Sequence, residues 1–580
     1  MIPTGQIIAA GTFLFLPPDE LTIPNLLIFR FAVKSALFVH LVQSCKLLFN
    51  ISFQSRDLIF LFIKGLKFCK VDFPQIVGIC IKIPPQQTIW LVLVGSGGFS
   101  MLRADTTSLI VEQITERLGQ SPDFICKELV INEELNLYCI YLASIVTTNQ
   151  IDEMLLKPIF EGNPSIETST HHPVHWLTNR IPLIGRKELS GSIEGINELL
   201  EGHCLLIPTW GNTILSYDVS KGEYRTISEP TSEASVRGPR EGFVEDISRN
   251  VALIRKRLKN EHLVFESMTI GSATKTKVYL TYLNNVASVQ VIDEFRRRLH
   301  AIQTDSILES GYIEEWIQDK TFSPFPQLVS SERPDIIVAK LLEGQVAVIT
   351  DGTPIVLLGP VTFFQMFSSA EDYYQRADIA TLTRWLRMLA FLLSIFIPSL
   401  YIAVVSYHQE LLPTSLLISL AAQREEVPFP VFIEAIIMTV TFEILREAGL
   451  RMPRIAGQSI SIVGALVLGQ AAVEAGLVSA AMVIVVSLTA ISNFASPNYS
   501  FGITQRIIQF SFMLLAGVLG LFGIMSGVFF LLVHLVSIRS FGVKYMTPLA
   551  PVALSDLKDT LVRVPRFLMK RIPRAFYSKK

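Results

Sequence analysis

Pro428-Phe-Pro-Val-Phe-Ile-Glu434-Ala-Ile-Ile-Met-Thr439-Val-Thr-Phe-Glu443-Ile-Leu-Arg446-Glu447-Ala-Gly-Leu-Arg-Met-Pro-Arg454 is apolar enough to span a membrane, yet it carries acids in its interior. An ionised side chain in a spanning helix costs about 2.5–3.5 kcal/mol on insertion scales, so such residues read as functional. On a helix, Thr439, Glu443 and Glu447 are one turn apart in succession and share a face, with Arg446 beside them. Glu434 falls about 180° around the axis from Glu443. The acids therefore point in two directions: one face of this helix is expected to line an ion or water pathway and the other to make a polar helix contact, with Glu434, Thr439 and Glu443 as the pathway candidates. Arg446 and Glu447 read as a salt-bridged helix end or interface.

Outward from this stretch, apolar segments run at 387–407, 428–445, 455–473, 477–492 and 507–538, with basic residues at their ends. The chain is therefore expected to be polytopic. If the soluble part is cytoplasmic, Arg446, Arg451 and Arg454 form an inside loop after two spans, and the basic tail from Lys558 also lies inside. An inside tail needs an even number of crossings, so 507–538 is expected to turn near Gly520-Leu-Phe-Gly523. A single long tilted helix, giving five spans instead of six, is the alternative. The short piece 411–422 reads as re-entrant or interfacial. Small residues at Ser461, Ala465 and Gly469 suit close helix packing, and Gln458 and Gln470 are further pathway candidates.

The whole chain agrees with this reading. Half of its 580 residues are hydrophobic and only 17% are charged, below the roughly 25% of soluble domains. A net charge of −1 gives no basic field for nucleic acid. The six cysteines form no CxxC pair or metal-ligand spacing, so they read as unpaired thiols in a reducing compartment.

Residues 101–383 are expected to be an α/β soluble region of two subdomains, 101–235 and 236–383. A helix is predicted at 108–118, and strands at 204–208, 213–217 and 277–282 alternate with amphipathic helices such as 289–302. Strands 345–349 and 354–358 flank Asp351-Gly352, a hairpin signal. The polar stretch 228–240 reads as a linker or loop. A helical membrane domain, 384–545, and a basic tail, 546–580, complete the division.

The first hundred residues fit none of this. Eight Lys/Arg interrupt their apolar runs, against four Asp/Glu. They read as translated upstream sequence with the start at Met101, or else as a divergent extension. No P-loop, GxGxxG, GxSxG or HExxH motif is present, so no enzyme, cofactor or metal is expected. His171, His172 and His175 read as a surface loop.

Several blocks in order, Arg237-Gly-Pro-Arg-Glu-Gly-Phe243, Glu332-Arg-Pro-Asp335, Leu342-Glu-Gly-Gln-Val-Ala-Val-Ile-Thr-Asp-Gly-Thr-Pro354, Ser369-Ala-Glu-Asp-Tyr-Tyr374, Phe442-Glu-Ile-Leu-Arg-Glu-Ala-Gly449 and Gly469-Gln-Ala-Ala-Val-Glu-Ala-Gly-Leu477, carry a family resemblance. From about residue 105 to 570 the chain resembles the A subunit of GerA-type spore germinant receptors. The resemblance implies an inner spore membrane receptor with B and C subunits, whose A subunits oligomerise into a nutrient-gated channel releasing monovalent cations. Thr439 stands where relatives often carry an acid. Two other classes compete with the channel. A secondary transporter would show inverted repeats, and none is visible between the membrane halves. A non-conducting scaffold would tolerate neutral replacement of Glu434 and Glu443.

Overall fold

The computed structural model describes strands between residues 72 and 103 and residues 106–568, except 133–134, 162–176, 178, 184, 211–212, 222–229, 231–232, 234–236, 452–468 and 554–556. The chain forms two compact units, one of residues 1–112 with 209–212, the other of the remainder. The first holds a four-stranded antiparallel meander, β1 to β4 (Asp72–Phe73, Ile76–Ile81, Trp90–Gly95 and Gly98–Arg103).

The second unit begins with two five-stranded antiparallel sheets. One comprises β5 (Phe124–Asn132), β6 (Leu135–Leu142), β7 (Lys187–Leu189), β8 (His203–Pro208) and β9 (Ile214–Asp218), in the order β5-β6-β8-β9-β7. The other comprises β10 (Leu263–Ile270), β11 (Thr276–Leu283), β12 (Val329–Ser331), β13 (Val346–Thr350) and β14 (Val356–Gly359), in the order β10-β11-β13-β14-β12. The two orders are the same: a long hairpin, a second hairpin beside it, and a three-residue edge strand last. The sequence carries the matching repeat. Tyr138, Tyr141, Leu142, Ile151, Asp152 and Glu153 recur 141 residues later as Tyr279, Tyr282, Leu283, Ile292, Asp293 and Glu294. Gly202 and Gly344, both with left-handed φ, end the helix before the third long strand in each copy.

The expected hairpin across Asp351-Gly352 is present, with Val346 opposite Gly359 and Gly352 at φ +88°. The second sheet is covered on both faces. Helices α1 (Ile247–Arg257) and α4 (Pro334–Leu342) close one face through Val251, Ile254 and Ile337; α2 (Val289–His300) and α3 (Ser310–Ile317) close the other through Phe295 and Ile313. Two-sided burial explains why β13 reads as a continuous apolar run. The two sheets are joined by Arg255, 1% exposed, whose guanidinium donates to Asp123 at 2.6 and 2.8 Å.

On α3, burial and then the neighbouring Glu309 and Glu315 push the carboxyl of the half-buried Glu314 up to about 7. Its native value lies above the unfolded one, so its stabilising contribution is full below about pH 4 and is lost as pH rises through 7. Glu314→Gln is expected to leave the melting temperature unchanged at pH 4 and to raise it at pH 8. Thermal unfolding of the full chain at both pH values checks this.

The helical region follows as α5 (Ala377–Tyr407), α6 (Thr414–Arg424), α7 (Val431–Arg451), α8 (Ala480–Phe494) and α9 (Tyr499–Ser537). By length and composition α5 and α9 can cross a membrane; 31 residues give α5 about 46 Å. The expected turn in the last segment is found at Gly520, whose φ of 61° and ψ of −140° break the helix. Gly523 lies against the Leu515 carbonyl and Gly527 against the Phe512 ring. Residues that far apart on a straight helix would be separated by about 12 and 22 Å, so α9 is a hairpin of two arms. Its tip meets the end of α5, where the Tyr407 hydroxyl donates to the Gly517 carbonyl. Its open end meets the soluble part, where Thr504 donates to Pro324 and Ser323 lies 2.9 Å from His534.

The first membrane-grade helix starts ten residues before the expected 387. Arg384 and Arg387 read as charges at a membrane edge, but both are neutralised inside the fold. Arg384, fully buried, donates to the Asp372 carboxylate and to the Asp559 and Thr560 carbonyls, and Arg387 meets Asp372 at 2.9 Å. Trp385 donates to the Leu561 carbonyl at 2.7 Å. These bonds dock the C-terminal segment on the start of α5. Beyond the hairpin, β15 (Arg539–Ser540) and β16 (Val543–Lys544) carry Phe541 back onto the soluble part, stacked on Phe295 at 3.6 Å. Phe541 has φ +47°, a strained value for a bulky residue, held by that stacking and by its N–H bond to Asp319 at 2.7 Å.

Candidate functional site

Helix α7 delivers its acids to two places. Glu434, near its first turn, is fully buried and accepts from the backbone N–H and hydroxyl of Ser479, both at 2.6 Å. Ser479 is the N-cap of α8, its hydroxyl accepting from Met482 N–H at 3.3 Å. A carboxylate here complements the positive end of the helix dipole. The other oxygen of Glu434 lies 4.0 Å from Arg424 of α6. Glu434 thus ties the short helix α6 and the start of α8 to α7 at the end of the bundle near the hairpin tip.

Glu443, two and a half turns further, points toward the first arm of α9. Its carboxylate pairs with Arg446 on its own helix and with Arg506 at 3.2 Å. Arg506 also donates to the Gly502 carbonyl at 3.1 Å. Thr439 is buried between the two acids, donating to the Ala435 carbonyl at 2.7 Å with Met513 as its other neighbour. Thr439, Glu443, Arg446, Thr489, Asn493 and Gln509 surround a cavity of about 20 Å³, room for one water. Phe494 lines this cavity and also a much larger one of about 1260 Å³ beneath the second sheet. Arg387 and Asp559 border the larger space. A polar patch among the helices and the larger space at their soluble end thus share Phe494 in their linings.

The remaining sequence candidates are placed elsewhere. Glu447 is exposed and pairs with Arg451 at 2.7 Å, apart from the Glu443 cluster. Gln470 is exposed and donates to Glu474 at 2.8 Å. Gln458, Ser461, Ala465 and the three histidines at 171, 172 and 175 lie outside the described residues. Arg506 and Gln509 were missed as site residues. Their signal was available: Gln505, Arg506 and Gln509 place polar groups at helical spacing inside an apolar run. In the soluble part, Glu198, Glu201 and His203 bring ligand atoms within 4.8 Å. Lys187 and Lys259 already pair with those two carboxylates.

Two antiparallel sheets followed by apolar helices with a polar cluster in their midst define a membrane-associated protein with a folded soluble region. The model of the Bacillus/Clostridium GerA spore germination protein family matches residues 112–575, and the chain belongs to that family. Spore germination protein KA of Bacillus subtilis (strain 168) is 45% identical over 467 residues, covering 80% of this chain and 86% of its own length. The uncharacterized membrane protein YfkQ of the same organism is 41% identical over 466 residues, 80% of this chain and 90% of its own. The crystal structure of the N-terminal domain of the A subunit of the Bacillus megaterium spore germinant receptor GerK3 aligns at 32% identity over 44% of this chain and 94% of that one, with a TM-score of 0.35.

Proposed function

We propose that this chain is the A subunit of a nutrient germinant receptor, acting with B and C subunits to trigger spore germination. Copies of it form a nutrient-gated path for monovalent cations in the inner spore membrane, with the sheets and the C-terminal tail cytoplasmic. The proposed division is 101–235 and 236–383 for the soluble subdomains, 384–545 for the membrane helices and 546–580 for the tail. No enzymatic step enters the reading.

The observation that supports it is the Glu443 cluster beside the two cavities. One carboxylate there faces two guanidiniums, Arg446 and Arg506. The excess positive charge repels a cation in a low-dielectric setting, so this arrangement describes a closed path. Opening requires Arg506 to withdraw from Glu443 and from the path. The test is cation flux from vesicles holding the chain with its partner subunits, with and without nutrient. Arg506→Gln is expected to release cations without nutrient, and Glu443→Gln, which leaves both arginines uncompensated, to lower nutrient-dependent flux at least about tenfold. Wild-type flux in both variants would remove Glu443 from the path and favour a non-conducting scaffold. The same assay on Glu434→Gln separates the two acids, since Glu434 is engaged in capping α8.

A further inference from the structure

Phe322 is 102% exposed, a full aromatic ring with no cover from the described residues. It sits at the third position of a β-turn closed by the Ser323 N–H bond to the Lys320 carbonyl at 3.2 Å. The turn is braced from within. The side chain of Gln327, itself fully buried, accepts from the N–H groups of Asp319 and Lys320, each at 2.9 Å, and donates to the Lys320 carbonyl at 2.8 Å. Phe325, three residues on, is locked in the core against Phe363, His534 and Tyr545. With both ends fixed, the turn cannot fold Phe322 inward.

The turn also has a defined place beside the helices. Lys320 Nζ donates to Ser537 Oγ at 2.8 Å, and Ser323 Oγ lies 2.9 Å from His534 Nε2. Those are the last residues of the second arm of α9, whose outward side chains Phe529, Phe530, Val533 and Val536 are each more than half exposed. Trp316 and Tyr312, one turn apart on α3, are exposed as well. Aromatic rings and a lysine, gathered where an apolar helix ends, have the composition of a membrane–water interface.

We propose that the turn 320–323 anchors the soluble region to the lipid bilayer. Phe322 inserts at the boundary of headgroups and acyl chains in the leaflet where the second arm of α9 ends, with the Lys320 stem lying along it. The occupant is lipid because the turn is bonded directly to the end of an arm whose outward side chains are apolar and exposed. The anchor rests on the reading that α9 crosses the membrane.

The full chain in lipid nanodiscs, in a background without other cysteines, would carry an environment-sensitive fluorophore at Phe322→Cys, Phe529→Cys or Ala273→Cys in turn. The label at 322 is expected to emit further to the blue than at 273. It should also be quenched at least about twofold more by a nitroxide high on the lipid chain than by one near its end. The label at 529 should show the reverse preference. Quenching at 529 with none at 322 overturns the anchor and leaves the crossing intact. No quenching at either position overturns both. Shielding at 322 that arises only with added partner subunits, without lipid quenching, identifies a protein occupant and also overturns the anchor.

Discussion

Gly523→Val is expected to prevent α9 from folding back on itself. A Cβ at Gly523 would lie 2.2 Å from the Leu515 carbonyl oxygen and 2.8 Å from its carbon. Both are backbone atoms of the opposing arm and cannot swing aside. Helix propensity points the other way, since glycine inside a helix costs about 1 kcal/mol relative to alanine. The contact reverses that sign. Even Gly523→Ala must push the arms apart, and valine adds two methyl groups at the closest approach. Gly502 is the control: its Cβ would meet only the Asn493 side chain, at 3.4 Å, so Gly502→Ala should be neutral or slightly stabilising. The measurement is the yield of folded, monodisperse protein after membrane extraction, together with cross-linking of cysteines placed at Phe512 and Gly527, which face each other across the arms. Normal yield and wild-type cross-linking for Gly523→Val would refute the hairpin packing described above.

Arg384→Ala is expected to have a comparable effect at the other end of the bundle. It leaves Asp372, buried and otherwise facing Arg387, short of a partner, and it strips the Asp559 and Thr560 carbonyls of their donor. Removing one member of a buried ion pair costs about 3–5 kcal/mol, because the partner charge remains desolvated. Lysine should rescue little, since one ammonium cannot reach a carboxylate and two carbonyls as a planar guanidinium does. The specific readout is undocking of the C-terminal segment: trypsin should cut after Lys558 and Arg563 many times faster than in the unaltered chain. A second effect sharpens the test. With the segment released, burial no longer holds the Tyr373 hydroxyl above its ordinary range beside Asp559, so its titration should move down. Unchanged proteolysis in Arg384→Ala would show that the segment is held by other contacts.

The acid-bearing helix, the strand positions in the second sheet, the Asp351-Gly352 hairpin and the turn at Gly520 were each legible because their signals are local. Periodicity of 2 or 3.6 residues identifies an element, and glycine marks where a left-handed backbone is needed. The partners of the acids were not legible. Glu443 meets Arg506 across 63 residues and Glu434 meets Ser479 across 45, and a helical pattern shows which face is polar without showing what that face meets. Arg384 misled for a related reason. A basic residue at the rim of an apolar run looks the same in sequence whether it faces headgroups or a buried carboxylate.

By itself, the sequence determined the composition of the elements: apolar stretches long enough for helices, two copies of a strand pattern 141 residues apart, and acids where a spanning segment tolerates few. Only the tertiary structure decided what those charges do. It placed Glu434 on a helix terminus, set Glu443 between two arginines beside a cavity, and enclosed Arg384 with the C-terminal segment. The reason is that a charge buried in a fold is governed by the groups within about 4 Å of it, and in this chain those groups come from distant parts of the sequence.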